Sequence, residues 1–166
     1  MKAIVAVDKK WGIGKKNGLL FSIPEDMRFF RSNTLNKVCV MGYNTLLSFP
    51  ESKPLKNRVN IVLAPETVTR DDVIVTHTLK ELSKVLKNYD TDDVFVIGGA
   101  MFYRTMLSYC SEVYVTKVDA DGGAEVFYPN LDEDKRFTCV SEGETIKTNG
   151  YDIKFTVYKN NAVEEF

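Results

Sequence analysis

The chain of 166 residues is 44% hydrophobic and 27% charged, with 22 basic against 23 acidic side chains and a formal net charge of -1. That length predicts one domain over residues 1–166 with a substantial core, and the balanced charge excludes bulk attraction to nucleic acid or to an anionic membrane. No apolar run reaches membrane-spanning length, the first residues lack a signal-peptide core, and Cys39, Cys110 and Cys139 lie far apart without metal-ligand spacing. The expectation is a cytoplasmic enzyme or binding protein with core or semi-buried thiols and no metal.

Residues 3–7 form an apolar run ended by Asp8, which fits a strand buried on both faces of a sheet. A polar, glycine-rich loop then runs from Asp8 to Phe21, and its length marks it as a lid or binding loop. Trp11, the only tryptophan, either packs over a ligand or caps a satellite core. Ser22 followed by Glu25 has the pattern of a capping box, and Pro24 suits a first helical turn, so a helix is predicted to begin at Ile23. At helical spacing Ile23, Met27 and Phe30 align, with Asp26 one turn from Phe30. Asp26 is either a solvated first-turn charge or a carboxylate held among apolar side chains for chemistry.

Further on, a strand over 37–41 stops at Gly42, and a short helix over 43–49 is ended by Pro50. Strands are predicted over 58–63 and 73–75, followed by a helix on Leu79, Leu82, Val85 and Leu86. His77, the only histidine, precedes that helix as a surface residue or a phosphate contact. The stretch 94–103 reads as a buried strand, then Gly98-Gly99, then a helix. Adjacent glycines let the backbone approach a ligand, and the helix start offers N–H groups to a pyrophosphate, although the spacing is not G-x-G-x-x-G. A buried strand over 113–118, a turn over 119–124 and an antiparallel pair over 137–140 and 152–158 complete the chain. The fold class is α/β, a doubly wound, mainly parallel sheet of about eight strands with an antiparallel C-terminal edge and about four flanking helices.

Three segments together resemble the dihydrofolate reductases: Ala6-Val7-Asp8 with Gly12-Ile13-Gly14, Pro24-Glu25-Asp26 through Phe29 to Thr34, and Val96-Ile97-Gly98-Gly99. Lys37 to Gly42 with Thr45, Pro54-Leu55 with Arg58 to Leu63, and Val113 to Thr116 match family positions in the same order, so the similarity covers essentially the whole chain. The resemblance implies the dihydrofolate reductase fold and hydride transfer from NADPH to 7,8-dihydrofolate, giving tetrahydrofolate for thymidylate and one-carbon metabolism. It assigns Asp26 to assist protonation of the pterin and Thr116 to orient Asp26. The backbone of Ile4, Ala6 and Ile97 would meet the pterin edge, Phe30 and Phe49 would sandwich the aminobenzoyl group, Arg58 would pair with the glutamate α-carboxylate, and Val5 and Met27 would also belong to the substrate site.

For the cofactor, the resemblance implies Gly98, Gly99, Ala100, Met101 and Phe102 at the pyrophosphate, completed by Gly42 and Thr45. Ile13, Gly14, Asn17, Gly18 and Leu19 would close over the nicotinamide, next to Ala6 and Ile97, while Tyr43, Asn44, Leu63, Ala64 and His77 would lie toward the adenosine. Tyr43, Ala64-Pro65 and Met101 stand where relatives carry basic or hydroxyl groups for the 2′-phosphate, which leaves His77 as the replacement. Leu19-Leu20-Phe21-Ser22 stands where proline then tryptophan is common. The implied partners are dihydrofolate and antifolates, with no nucleic acid or membrane, and a monomer is expected because no helix face is unusually apolar. Two other readings are a reductase of another pterin or pyrimidine intermediate, opposed by the presence of both Asp26 and Arg58, and a binding homologue without turnover, opposed by Asp26.

Overall fold

The computed structural model describes residues 1–16 and 18–166. In chain order the elements are β1 (Lys2–Val7), β2 (Gly12–Lys15), β3 (Gly18–Leu19), α1 (Pro24–Thr34), β4 (Val38–Gly42), α2 (Tyr43–Ser48), β5 (Val59–Leu63) and β6 (Ile74–Thr76). After these come α3 (Leu79–Leu86), β7 (Val94–Gly98), α4 (Ala100–Met106), β8 (Glu112–Val118), β9 (Val126–Phe127), β10 (Phe137–Glu142), β11 (Ile146–Thr148) and β12 (Tyr151–Asn160).

The main sheet runs β10-β12-β8-β1-β7-β4-β5-β6, with β11 added as a hairpin on β12. β8, β1, β7, β4, β5 and β6 are parallel, while β12 and β10 form an antiparallel edge, as predicted. β1 sits in the middle because its apolar run can be covered on both faces. The chain leaves β1 for β4, β5 and β6 on one side, returns to β7, and then crosses β1 to reach β8. That reversal places the strand-order switch beside β1, where open α/β sheets hold their ligands.

Strand alternation divides the packing. Ala3, Val5 and Val7 of β1, Val94 and Val96 of β7, and Val113 and Val115 of β8 point into one continuous core with Leu82, Leu86, Phe102, Tyr103 and Met106. The opposite face holds two separate clusters. One gathers Cys39, Met41, Leu46, Val62 and Ala64 with Phe49 and Ile97; the other gathers Ile23, Val118 and Ile153 with Phe21 and Phe155. Ile4, Ala6 and Thr116 have the alternate parity on the strands between them. The break in the core is therefore a cleft floored by β1 and β8 and bordered by α1.

Several expectations are corrected. Ser22 and Glu25 form no capping box: Ile23 is the N-cap and makes no side-chain cap bond, while Glu25 accepts from Thr148 Oγ1 and from Arg28 Nη2 (3.0 Å). A capping box does start α3, between Thr78 and Glu81. Helix α1 extends to Thr34, and Asn36, with φ of 63°, then reverses the chain. Met27 is 60% exposed, and α1 is seated instead by Ile23 and by Phe29 stacked on Phe155 at 4.2 Å. The long loop carries β2 and β3, which join β9 in a small second sheet. Cys39 and Cys110 are buried, which pushes both thiols up to about 12, but Cys139 is exposed on the edge strand β10.

Candidate active site

Helix α1 assembles one wall of the cleft from Asp26, Phe30 and Thr34, spaced one turn apart on one face. Asp26 is half-buried, and desolvation raises its carboxyl above the ordinary carboxylate range, opposed by hydrogen bonding from Thr116. Thr116 is itself buried on β8, so the two residues assigned to the chemistry are brought together as expected. Such a carboxyl can hold or release a proton closer to neutral pH than a solvated aspartate can.

Arg58 is seated on the same wall. Its Nε donates to Thr34 Oγ1 (3.0 Å), its Nη1 donates to the Lys56 carbonyl (3.2 Å), and its guanidinium lies over the Phe30 ring at 5.9 Å. Two donors are engaged within the protein, and the rest of the fork remains for a carboxylate. Asn60, which sequence reasoning missed, is buried and shapes the approach by bonding the backbone of Leu55 and Arg58. Tyr103 was also missed. Its buried hydroxyl donates to the Ile4 carbonyl (2.7 Å) from beneath the floor, and burial drives its pKa up, which keeps the proton on the oxygen. Ile4 and Val5 are buried, Ala6 and Ile97 half-buried, and Phe49 packs on the flank beside Ile97.

The glycine pair closes the floor at the end of β7. Gly98 takes φ of 142°, a conformation L side chains avoid, and a Cβ there would lie 3.0 Å from Thr45 Oγ1. A Cβ on Gly99 would meet the same hydroxyl at 3.3 Å, so Thr45 and the pair form a cradle only bare backbone can line. Gly42 sits beside it at the end of β4, with Phe102 buried behind. Phe102 thus contributes its side chain to the core, leaving its backbone for a ligand. Met101 is 81% exposed and Leu19 is 85% exposed. At the far side, Tyr43 and Leu63 are half-buried, Asn44 is exposed, Ala64 is buried, and His77 Nδ1 lies 3.1 Å from the Ala64 carbonyl.

The loop across the cleft is held at its root. Asp8, only 3% exposed, accepts from the backbone N–H groups of Lys10 (2.9 Å), Gly12 (2.7 Å) and Gly122 (3.0 Å). A Cβ on Gly12 would come within 2.3 Å of the Ala124 Cβ, so glycine is required where the two loops meet. Gly14 pairs with Val126 and Leu19, and Glu125 Oε1 accepts from Lys16 N at 2.7 Å. Ile13 packs against the main core. The contact expected of Asn17 lies outside the described residues. Trp11 neither faces the cleft nor caps a satellite core: it is buried in the main core, stacked on Tyr128 and edge-on to Tyr158. A separate concavity of about 430 Å³ lies beside Trp11, lined among others by Lys9, Lys117, Asp132, Glu142 and Lys154, with Lys117 tied to Asp132 (3.3 Å) and Lys154 to Glu142 (3.2 Å). It contains neither Asp26 nor the glycine pair.

A family model described as dihydrofolate reductase matches residues 1–160. Among curated relatives, a dihydrofolate reductase of Schistosoma mansoni is 34% identical, covering 95% of this chain and 95% of its own. A dihydrofolate reductase type 9 of Escherichia coli is 31% identical over 99% of this chain and 96% of its own, and a Bacillus subtilis dihydrofolate reductase is 30% identical over 94% and 92%. With the match running almost from end to end and the glycine cradle, the α1 carboxylate and the paired loops all inside it, the chain belongs to the dihydrofolate reductase family.

Proposed function

We infer that this chain reduces 7,8-dihydrofolate to 5,6,7,8-tetrahydrofolate with NADPH, as one domain over residues 1–166, a monomer of the cytoplasm serving thymidylate and one-carbon metabolism. The observation that carries the reading is Asp26: a carboxyl raised by burial, beside Thr116, on the α1 wall of the cleft that divides the core. Bound NADPH supplies the hydride. The residues present fit it at the glycine cradle, where Gly98, Gly99, the N–H groups of Ala100 and Met101, Gly42, Thr45 and the Phe102 backbone would hold the pyrophosphate.

Asp26 would accept hydrogen bonds from the amidine-like edge of the pterin and favour a proton on the imine nitrogen that becomes N5, so that carbon receives hydride as the nitrogen's charge is satisfied. Thr116 would keep the carboxyl turned toward that edge. Ile4, Val5, Ala6 and Ile97 would bound the ring, with Met27, Phe30 and Phe49 around the aminobenzoyl group and Arg58 on the glutamate α-carboxylate. Ile13, Gly14, Asn17, Gly18 and Leu19 would cover the nicotinamide and exclude water. Tyr43, Asn44, Leu63, Ala64 and His77 would line the adenosine end.

The test is steady-state oxidation of reduced nicotinamide with dihydrofolate as acceptor, using NADPH and NADH in parallel, together with Asp26→Asn. Turnover that depends on dihydrofolate and collapses in the variant supports the reading. Tight cofactor binding with no turnover would instead make the chain a binding homologue.

A further inference from the structure

We propose that Asn149 is a site of spontaneous deamidation, that the grip of the β11–β12 turn on the start of α1 restrains the reaction, and that the product loosens that grip. Thr148 pairs with Tyr151, so a two-residue loop joins the strands, and its residues Asn149 and Gly150 take φ of 51° and 82°. An Asn-Gly pair suits such a loop because both central residues need positive φ. The same pair is chemically weak. Glycine has no side chain to shield the nitrogen that follows the asparagine, and a Cβ built on Gly150 would meet nothing within 4 Å. Both residues are exposed, so water reaches them.

The reaction needs only water. The Gly150 backbone nitrogen attacks Cγ of Asn149 and closes a five-membered imide; the Cγ–Nδ2 bond breaks, and Nδ2 leaves as ammonia with the proton that the backbone nitrogen gave up. Water then opens the imide. Cleavage of the new N–Cγ bond gives aspartate in the normal chain, whereas cleavage of the original peptide bond gives isoaspartate, whose main chain runs through Cβ and Cγ. Either way an amide and water become a carboxylate and ammonium, and nothing is oxidised or reduced.

The turn and its flanks hold the loop root and the first turn of α1. Tyr151 lies edge-on to Phe21 at 5.0 Å, Asn149 Nδ2 donates to the Ser22 carbonyl at 3.0 Å, and Thr148 Oγ1 donates to Glu25. Between Ser22 and Glu25 stands Ile23, the N-cap of the helix that carries Asp26. Imide closure requires Asn149 to bring Cγ against the Gly150 nitrogen and so to release Ser22, which makes lifting of the turn the gate. The product cannot restore the contact. A carboxylate has no N–H for the Ser22 carbonyl, and it adds a negative charge close to that of Glu25. Isoaspartate also inserts an extra backbone carbon into a turn whose length sets the strand register.

The experiment ages the intact protein in mildly alkaline buffer and maps it with trypsin, which cuts after Lys147 and Lys154 and so separates Asn149 from the chain's other Asn-Gly pair at Asn17. The 148–154 peptide should gain the mass of an amide-to-acid conversion, with isoaspartate in excess, more slowly than the same peptide free in solution. Thr148→Ala, which frees Glu25 from the turn, should speed the conversion about two- to fivefold, the scale of one lost hydrogen bond. Aged parent should melt lower than fresh protein and reduce dihydrofolate about two- to fivefold more slowly. Asn149→Gln aged in parallel should lose less, which subtracts any contribution from Asn17, and Asn149→Asp should show the loss when fresh. A folded site that stays amide while the free peptide converts overturns the proposal. So does a parent-like rate in Thr148→Ala, an equal loss in aged Asn149→Gln, or parent-like melting and turnover in Asn149→Asp. The mass and melting readouts stand whether or not the chain reduces dihydrofolate, so fresh protein without turnover removes the reductase reading and leaves this test intact.

Discussion

Two carboxylates flank the loop that crosses the cleft, and they are treated in opposite ways. Asp8 is almost completely buried and accepts three backbone N–H groups, so its charge closes the meeting point of two loops. Asp26 is less buried, yet desolvation raises its pKa, and among the described residues Thr116 is the one hydrogen-bonding group that opposes this. Depth of burial therefore does not mark the chemical carboxylate. What marks it is the shortage of donors, which leaves a proton equilibrium available to a ligand.

The largest effect should come from Asp26→Asn, which is expected to reduce turnover with dihydrofolate by about 10²- to 10⁴-fold at neutral pH. The same variant should melt at a higher temperature than the parent at neutral pH. Burial raises the folded-state pKa, so the contribution of Asp26 to stability is fully present below its unfolded pKa and is lost as pH rises through the folded one. The melting advantage of asparagine should accordingly shrink in acid, and a lower melting temperature at neutral pH would break the contrast with Asp8. Asp8→Ala should do the reverse, costing about 2–4 kcal/mol in urea unfolding because buried N–H groups lose their acceptor, with a smaller loss of turnover than Asp26→Asn. A parent-like unfolding midpoint would show that Asp8 does not hold the loops.

Arg58→Gln should raise KM for dihydrofolate by about tenfold or more while changing kcat little, since a contact to the glutamate tail is shared by ground and transition states. A fall in kcat with unchanged KM would place Arg58 outside the substrate tail's reach. The smallest effect is expected from Thr116→Val. Thr116 lowers the Asp26 pKa, so its removal should move the limb of the pH–rate profile governed by Asp26 to higher pH, with less than about a tenfold change in turnover at neutral pH. An unmoved profile would mean that Thr116 does not act through Asp26.

The parallel sheet was legible because five of its six strands, all but the three-residue β6, are apolar runs of five to seven residues, four of them ended at Asp8, Gly42, Ala64 and Gly98. The second sheet was not, because β2, β3 and β9 are two to four residues long and two of them are glycine-rich, which leaves no alternation to read. The hairpin of β11 and β12 did carry a signal, an Asn149-Gly150 turn with both φ values positive, and it went unread. Ser22 misled because a capping box needs more than spacing: the Ser22 carbonyl accepts from Asn149, and Glu25 bonds Thr148, so a distant hairpin claims both residues. Asp26 was placed among apolar neighbours by helical periodicity alone. The seating of Arg58 by Thr34 and the support of Ile4 by Tyr103 link residues 24 and 99 positions apart, and local pattern carries no trace of them.

Trp11 lies at the root of the loop, on the side of the sheet away from Asp26, with Tyr128 and Tyr158 around it and the Lys117 ammonium 5.4 Å from its ring. As the chain's single indole, it makes intrinsic fluorescence a one-site signal. The emission of the folded protein should be blue-shifted by the apolar surroundings and sensitive to the nearby cation. Lifting of the loop root would redden it before the sheet melts, giving an optical clock for loop opening that needs no attached dye.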